Sequence, residues 1–214
     1  LFFSFFITLV VVVMISSISF ALQTNKDKEH LAQRVDGLAS LWTSVISPDD
    51  VERALLVKDP HDPAVERLQE QVDLINERNS SFFHSSILAP TLKENGEIYS
   101  TVISDSYDGL KSFSFYKSVD VHINAFKKSV IDQEVVSTKV YTDQYGTWVT
   151  AFAPIQDNKG KVVGVLLVDA EASYIKKSQI ETILYLTVVF VITIIIVFFT
   201  LKYVLKKILN LFIN

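Results

Sequence analysis

Tyr141, Asp143, Tyr145, Trp148 and Asp169 are the polar and aromatic residues most densely placed near the expected strand ends of this 214-residue chain. Hydroxyls, carboxylates and aromatic faces of this kind are binding groups. Breaking bonds takes an activated nucleophile or a paired acid and base. The chain has no G-x-S-x-G and no phosphate loop, and its carboxylates sit mostly at helix starts and turns. Its four histidines, His30, His61, His84 and His122, show neither H-x₃₋₅-H nor H-E-x-x-H spacing, so each reads as a surface or core residue. With no cysteine, thiolate metal sites and a disulfide framework are excluded. No catalytic residue, metal or cofactor is expected of this segment. The chemistry left to it is recognition.

The elements that must position these groups lie between two apolar segments. Leu1–Leu22 carries no ionisable side chain, and Thr182–Leu201 is a second uncharged run. At about 1.5 Å per residue, each can cross a hydrocarbon core about 30 Å thick. A signal peptide is the competing reading of the first, although the stretch exceeds the usual apolar core of about 7–15 residues. All 24 Asp and Glu, and 17 of the 20 Lys and Arg, lie between residues 23 and 181, a net charge of −7. Beyond the second run come only the bases Lys202, Lys206 and Lys207. Lys and Arg mark the cytoplasmic flank. Residues 1–22 are therefore expected as one span, 23–179 as an extracytoplasmic domain and 180–201 as the second span. Residues 202–214 would begin a cytoplasmic linker, with an output module expected beyond Asn214. A region of about 160 residues can bury one core of its own. Its acidic balance argues against nucleic-acid binding, which needs a basic surface to displace counterions.

Within that region the first half is helical. Leu31, Val35, Leu38, Trp42 and Val45 repeat at steps of four and three, a stripe for the sheet or for a dimer seam. Ser47-Pro48-Asp49-Asp50 has the form of a helix start, and Asp62-Pro63 opens another helix with Val65, Leu68, Val72 and Ile75 on one face. Asn79-Ser80-Ser81 is expected to end it. The period then becomes extended. Phe82–Leu92 and Glu97–Ser104 flank Asn95-Gly96, which predicts a hairpin with a type I′ turn. After the ambiguous Asp105–Ser118, Val119–Val130 reads as a short helix. Val135–Thr142, Thr147–Gln156 and Val162–Asp169 read as strands, the last two joined by Asp157-Asn158-Lys159-Gly160. Gly146 and Gly160 are read as turn residues requiring positive φ. Gly164, inside a strand, marks a bulge or a close approach to the backbone. Ala170–Gln179 is expected as a helix running into the second span. Helices on one side of an antiparallel sheet make an α+β fold.

The stretch Val140–Asp169 carries a recognisable pattern. It reads Tyr-Thr-Asp-x-Tyr-Gly-x-Trp from Tyr141, then Pro154-Ile155, an Asp-x-x-Gly turn at Asp157, and Val-Val-Gly-Val-x-x-Val-Asp ending at Asp169. It resembles the C-terminal half of single Cache domains, the PAS-like extracytoplasmic sensors of bacterial chemoreceptors, histidine kinases, cyclases and phosphatases. About thirty residues match in letters, and the helical half in layout. The resemblance implies a PAS-like antiparallel sheet with a long N-terminal helix on one face and a pocket on the other. In that pocket Asp169 would accept from a ligand ammonium, with Tyr141, Tyr145 and Trp148 supplying faces and Asp143 beside them. The alternative is that Tyr141 and Trp148 are core and Asp169 caps the exit helix.

The Arg-x-x-Trp-Tyr signature of amino-acid-binding double Cache domains is absent, and the length allows one module. Carboxylate ligands would need bases, of which Lys139 and His122 are near at hand. The resemblance implies the input portion of a membrane receptor, embedded in lipid and working as a homodimer, with a small amine or amino-acid-like ligand. The rival is a ligand-free, membrane-anchored dimerisation or interaction module.

Overall fold

The computed structural model describes residues 2–78, 83–103 and 111–213. It divides into two compact units, Lys26–Ser173 and a unit made of Leu1–Asn25 with Tyr174–Asn214.

The first helix, α1, runs uninterrupted over Phe2–Thr43. Among the described side chains of α1, Leu31, Val35 and Ala39 are buried, at steps of four. The expected stripe therefore holds at Leu31 and Val35 and then shifts: Ala39 takes the buried place, Leu38 and Trp42 are half-buried, and beyond the helix end at Thr43 Val45 is exposed while Ile46 is buried. Ser47 caps α2 (Pro48–Val57): its hydroxyl accepts from Asp50 N at 3.3 Å, with Pro48 in the first turn. Asp62 does the same for α3 (Pro63–Arg78), accepting from Ala64 N at 2.9 Å while Arg53 grips both its oxygens. Val65, Leu68, Val72 and Ile75 are all buried, as their spacing requires. The end expected at Asn79-Ser80-Ser81 lies outside the described residues.

The sheet has seven strands: β1 (Phe83–Leu92), β2 (Glu97–Ile103), β3 (Ser114–Lys117), β4 (Val136–Ser137), β5 (Tyr141–Thr142), β6 (Thr147–Gln156) and β7 (Val162–Glu171). Their order is β3-β2-β1-β7-β6-β4, with β5 also on β6, and every pairing is antiparallel. The β1–β2 turn departs from type I′. Gly96 has φ +82° but Asn95 is not at positive φ. Lys93 O accepts from Gly96 N, and Lys93 N donates to Glu97 O, so three residues turn the chain through a glycine bulge. At the β6–β7 turn Gly160 has φ +78° and Asp157 Oδ1 accepts from Lys159 N and Lys161 N.

Two more boundaries shift. Val135–Thr142 is not one strand: Thr138 takes the Thr150 N–H with its hydroxyl rather than its carbonyl, and the chain leaves the ladder there. Ala170 and Glu171 stay in β7, paired with Val149 and Trp148, so the exit helix α5 begins at Ser173 and runs to Ile213. Among the described residues one stretch, Lys177–Ile208 in α5, is long and apolar enough to cross a membrane.

Helices cover both faces of the sheet. Residues of α2 and α3 pack on β7, β1 and β2, and Asp36 of α1 accepts from Ser137 at 3.2 Å beside them. On the opposite face lies α4 (Asp120–Asp132), where Phe126 and Ala125 close over Leu88, Ile98, Phe152, Val165 and Leu167.

Candidate functional site

Register decides which residues share the α4 face. Thr150 of β6 stands opposite Asp169 of β7, which in turn stands opposite His84 of β1. Side chains of directly opposed residues point the same way. This pairing depends on a shift between Ile155 and Gln156, where Gln156 pairs with Val162 and Ile155 with Gly164. Counted straight back from the turn, Thr150 would oppose Val168 and Asp169 would meet the other face's partner. One extra residue turns the carboxylate and the hydroxyl onto the same side.

There they form a connected polar network. Thr150 Oγ1 donates to Asp169 Oδ1 at 2.5 Å. Tyr141 Oη lies 2.9 Å from Thr150 Oγ1 and 2.7 Å from His122 Nε2, which is itself 3.1 Å from Thr150 Oγ1. With Asp169 ionised, the Thr150 hydrogen goes to the carboxylate. Each link of the chain then has its own hydrogen when His122 Nε2–H donates to Tyr141, Tyr141 O–H to Thr150, and Thr150 O–H to Asp169. Burial favours the neutral imidazole, pushing His122 down to about 4 against the opposing pull of Asp143. Phe152 and Tyr141 meet its ring edge-on at 5.5 and 4.9 Å. Asp169 and His122 are 8% and 9% exposed.

A second cluster adjoins the first. Asp143 Oδ1 accepts from Tyr145 N, Gly146 N and Trp148 Nε1, an Asx turn that also fastens the indole. Gly146 has φ +157°, a positive φ that other residues rarely adopt, as expected of it, and an added Cβ would also lie 3.1 Å from the Trp148 ring. Trp148 stands opposite both Tyr141 and Glu171 and meets His84 at 5.6 Å between ring centroids. Burial holds His84 below the usual imidazole range, against the pull of Glu171.

The five residues read from the sequence thus fall into distinct places. Tyr141 and Asp169 join one buried network, Asp143 and Trp148 build the adjoining turn, and Tyr145, 71% exposed, points away from both. His122 and Thr150 were not among them, though they link the network. The sequence signal for Thr150 was the bulge that Gly164 hints at. For His122 it was a place on a helical face shared with Phe126.

No protein-family model matches the chain. Over 117 residues it is 28% identical to a chain described as a methyl-accepting chemotaxis protein of Bacillus thuringiensis subsp. konkukian, covering 53% of this chain and 20% of that one. The chain thus spans about a fifth of the length of that curated relative. Among solved structures, the E. coli DcuS sensor domain aligns at 15% identity and TM-score 0.47, over 72% of this chain and 97% of that one. The extracellular domain of the histidine kinase vpHK1S-Z8 aligns at 12% identity and TM-score 0.51, over 80% and 62%. The chain shares the fold of the latter domain. Within this fold the Asp169 network occupies the sheet face opposite α2 and α3, beside α4.

Proposed function

We propose that the chain is the sensory input portion of a bacterial transmembrane receptor. Residues 1–22 and 180–201 cross the membrane, the domain between them stands outside, and residues 202–214 lead inside to an output module, where any enzymatic activity would reside. The observation that carries the reading is Asp169. It is a buried carboxylate on the sheet face opposite α2 and α3, in the strand that hands over to α5 at Ser173. The similarity to a chain described as a chemotaxis protein supports the same reading.

The network is acidic: among the described residues its members include no lysine or arginine, and its imidazole is neutral. It suits a solute with a cationic group, an amine or amino-acid-like molecule, held by the carboxylate with the aromatic faces of Tyr141 and Trp148 beside it. Such a solute shifts the output through its different affinity for two arrangements of the β6–β7 end.

The test is a thermal-shift panel of amines, amino acids and carboxylates on the full chain in detergent micelles. At least one amine or amino acid should raise Tm, and Asp169→Asn should remove that shift. A panel in which no compound moves Tm sinks the ligand reading and leaves a ligand-free interaction module. A shift that survives Asp169→Asn removes the site from this network.

A further inference from the structure

Glu171 lies two residues beyond Asp169 in β7, so both side chains leave the same face of the sheet. The register fixes this a second time. Glu171 stands opposite Trp148 and Asp169 opposite Thr150, and those two partners are themselves two residues apart in β6. From β1, His84 closes the corner opposite Asp169, with its ring edge-on to Trp148 and in the field of Glu171. Glu171, His84, Tyr141 and Trp148 are half-buried and keep part of their surface in solvent, while Asp169 is the buried floor.

Charge decides what such a corner can take. Register, ring contacts and hydrogen bonds gather three carboxylates (Asp143, Asp169 and Glu171) with two imidazoles, a phenol and an indole. Burial holds both imidazoles below their ordinary range, so neither is a countercharge at neutral pH. The carboxylate of an amino acid would enter this field against repulsion, whereas a second ammonium is drawn into it. Two residues of strand span about 6.7 Å, close to the reach between the nitrogens of butane-1,4-diamine.

We propose that Glu171 is the second cation contact of this site and that its solute is a short diamine, with one ammonium on Asp169, the other on Glu171, and the carbon chain against the Trp148 and His84 rings. This rests on Asp169 as the acceptor of a ligand ammonium, and it narrows the solute from any amine or amino acid to a dication without a carboxylate. Glu171 also stands where the contact can be passed on. Ser173 Oγ, at the first residue of α5, donates to Glu171 Oε1 at 2.5 Å. An ammonium on that carboxylate shares it with the start of the exit helix.

Calorimetric titration of the full chain in detergent micelles, at neutral pH and about 0.15 M salt to screen non-specific attraction, tests this. The probes are butane-1,4-diamine, butylamine, which lacks the second charge, and 4-aminobutanoate, which reverses it. The diamine should bind about five- to tenfold more tightly than butylamine, and 4-aminobutanoate more weakly than either. Glu171→Gln should bring the diamine to the affinity of butylamine and leave butylamine unchanged, and Asp169→Asn should remove both. The diamine is overturned by equal affinities for diamine and butylamine, or by 4-aminobutanoate binding at least as tightly as butylamine. It is equally overturned by a diamine advantage that survives Glu171→Gln, or by no binding of any probe. In each of those cases the broader sensor reading still stands if another amine or amino acid shifts Tm and loses that shift in Asp169→Asn. Should Glu171→Gln fail to fold, chain length decides. Affinity must fall from butane-1,4-diamine to propane-1,3-diamine, which is too short to span both carboxylates, and an equal or higher affinity for the shorter diamine overturns the proposal.

Discussion

At the scale of single residues, His122 sets how stability responds to acid. Its pKa is about 4 in the fold against 6.5 ordinarily, so between those values the unfolded chain binds the extra proton. Stability is therefore fully present above about pH 6.5 and falls as pH drops toward 4. At about 1.4 kcal/mol per unit, the loss is roughly 3 kcal/mol over the window. His84, also lowered by burial, adds to the slope in the same direction. Urea denaturation at pH 7 and pH 4.5 should show this fall in the wild type and a clearly smaller one in His122→Gln. An identical fall in both would remove His122 as its source.

At the scale of elements, α2 packs close against β7 at Gly164. A Cβ built on Gly164 would lie 2.7 Å from Val51 Cγ1 and 3.4 Å from the Leu88 carbonyl oxygen, so the helix rests on bare backbone. Gly164→Ala should destabilise by about 1–3 kcal/mol through overpacking. Combined with Val51→Ala it should cost less than the two single changes added, because the second substitution clears the space the first one needs. Additive losses in denaturant melts would place the strain elsewhere. The same glycine flanks the register shift that brings Thr150 opposite Asp169, so a small residue serves both packing and the site.

At the scale of the whole molecule, the distribution of charge makes the topology testable. The proposed arrangement puts Asn158, in the β6–β7 turn, outside and Asn210, beyond the lysines, inside. A membrane-impermeant thiol reagent applied to intact cells should label Asn158→Cys and spare Asn210→Cys, the chain having no cysteine of its own. The reverse pattern would invert the receptor.

Much of this architecture was legible in the chain itself, because its signals are local. Ser47 and Asp62 cap helices through atoms two or three residues away, Gly160 turns a hairpin within four residues, and the apolar run of α5 declares its length by composition. Tyr141 and Asp169 were likewise singled out by a pattern confined to thirty residues, and both join one hydrogen-bond network through Thr150. Tertiary structure decided the rest. The β6–β7 register depends on one bulged residue, and shifting it by one would turn Thr150 away from Asp169. Tyr145 and Trp148, three residues apart, part company because an Asx turn at Asp143 intervenes. His122 comes from a helix 28 residues before Thr150, and its neutrality follows from burial beneath Phe152 and Tyr141. Caps and turns are set by neighbours along the chain, whereas a hydrogen-bond network and the charge state of a buried ring are set by neighbours across the sheet, which no local pattern records.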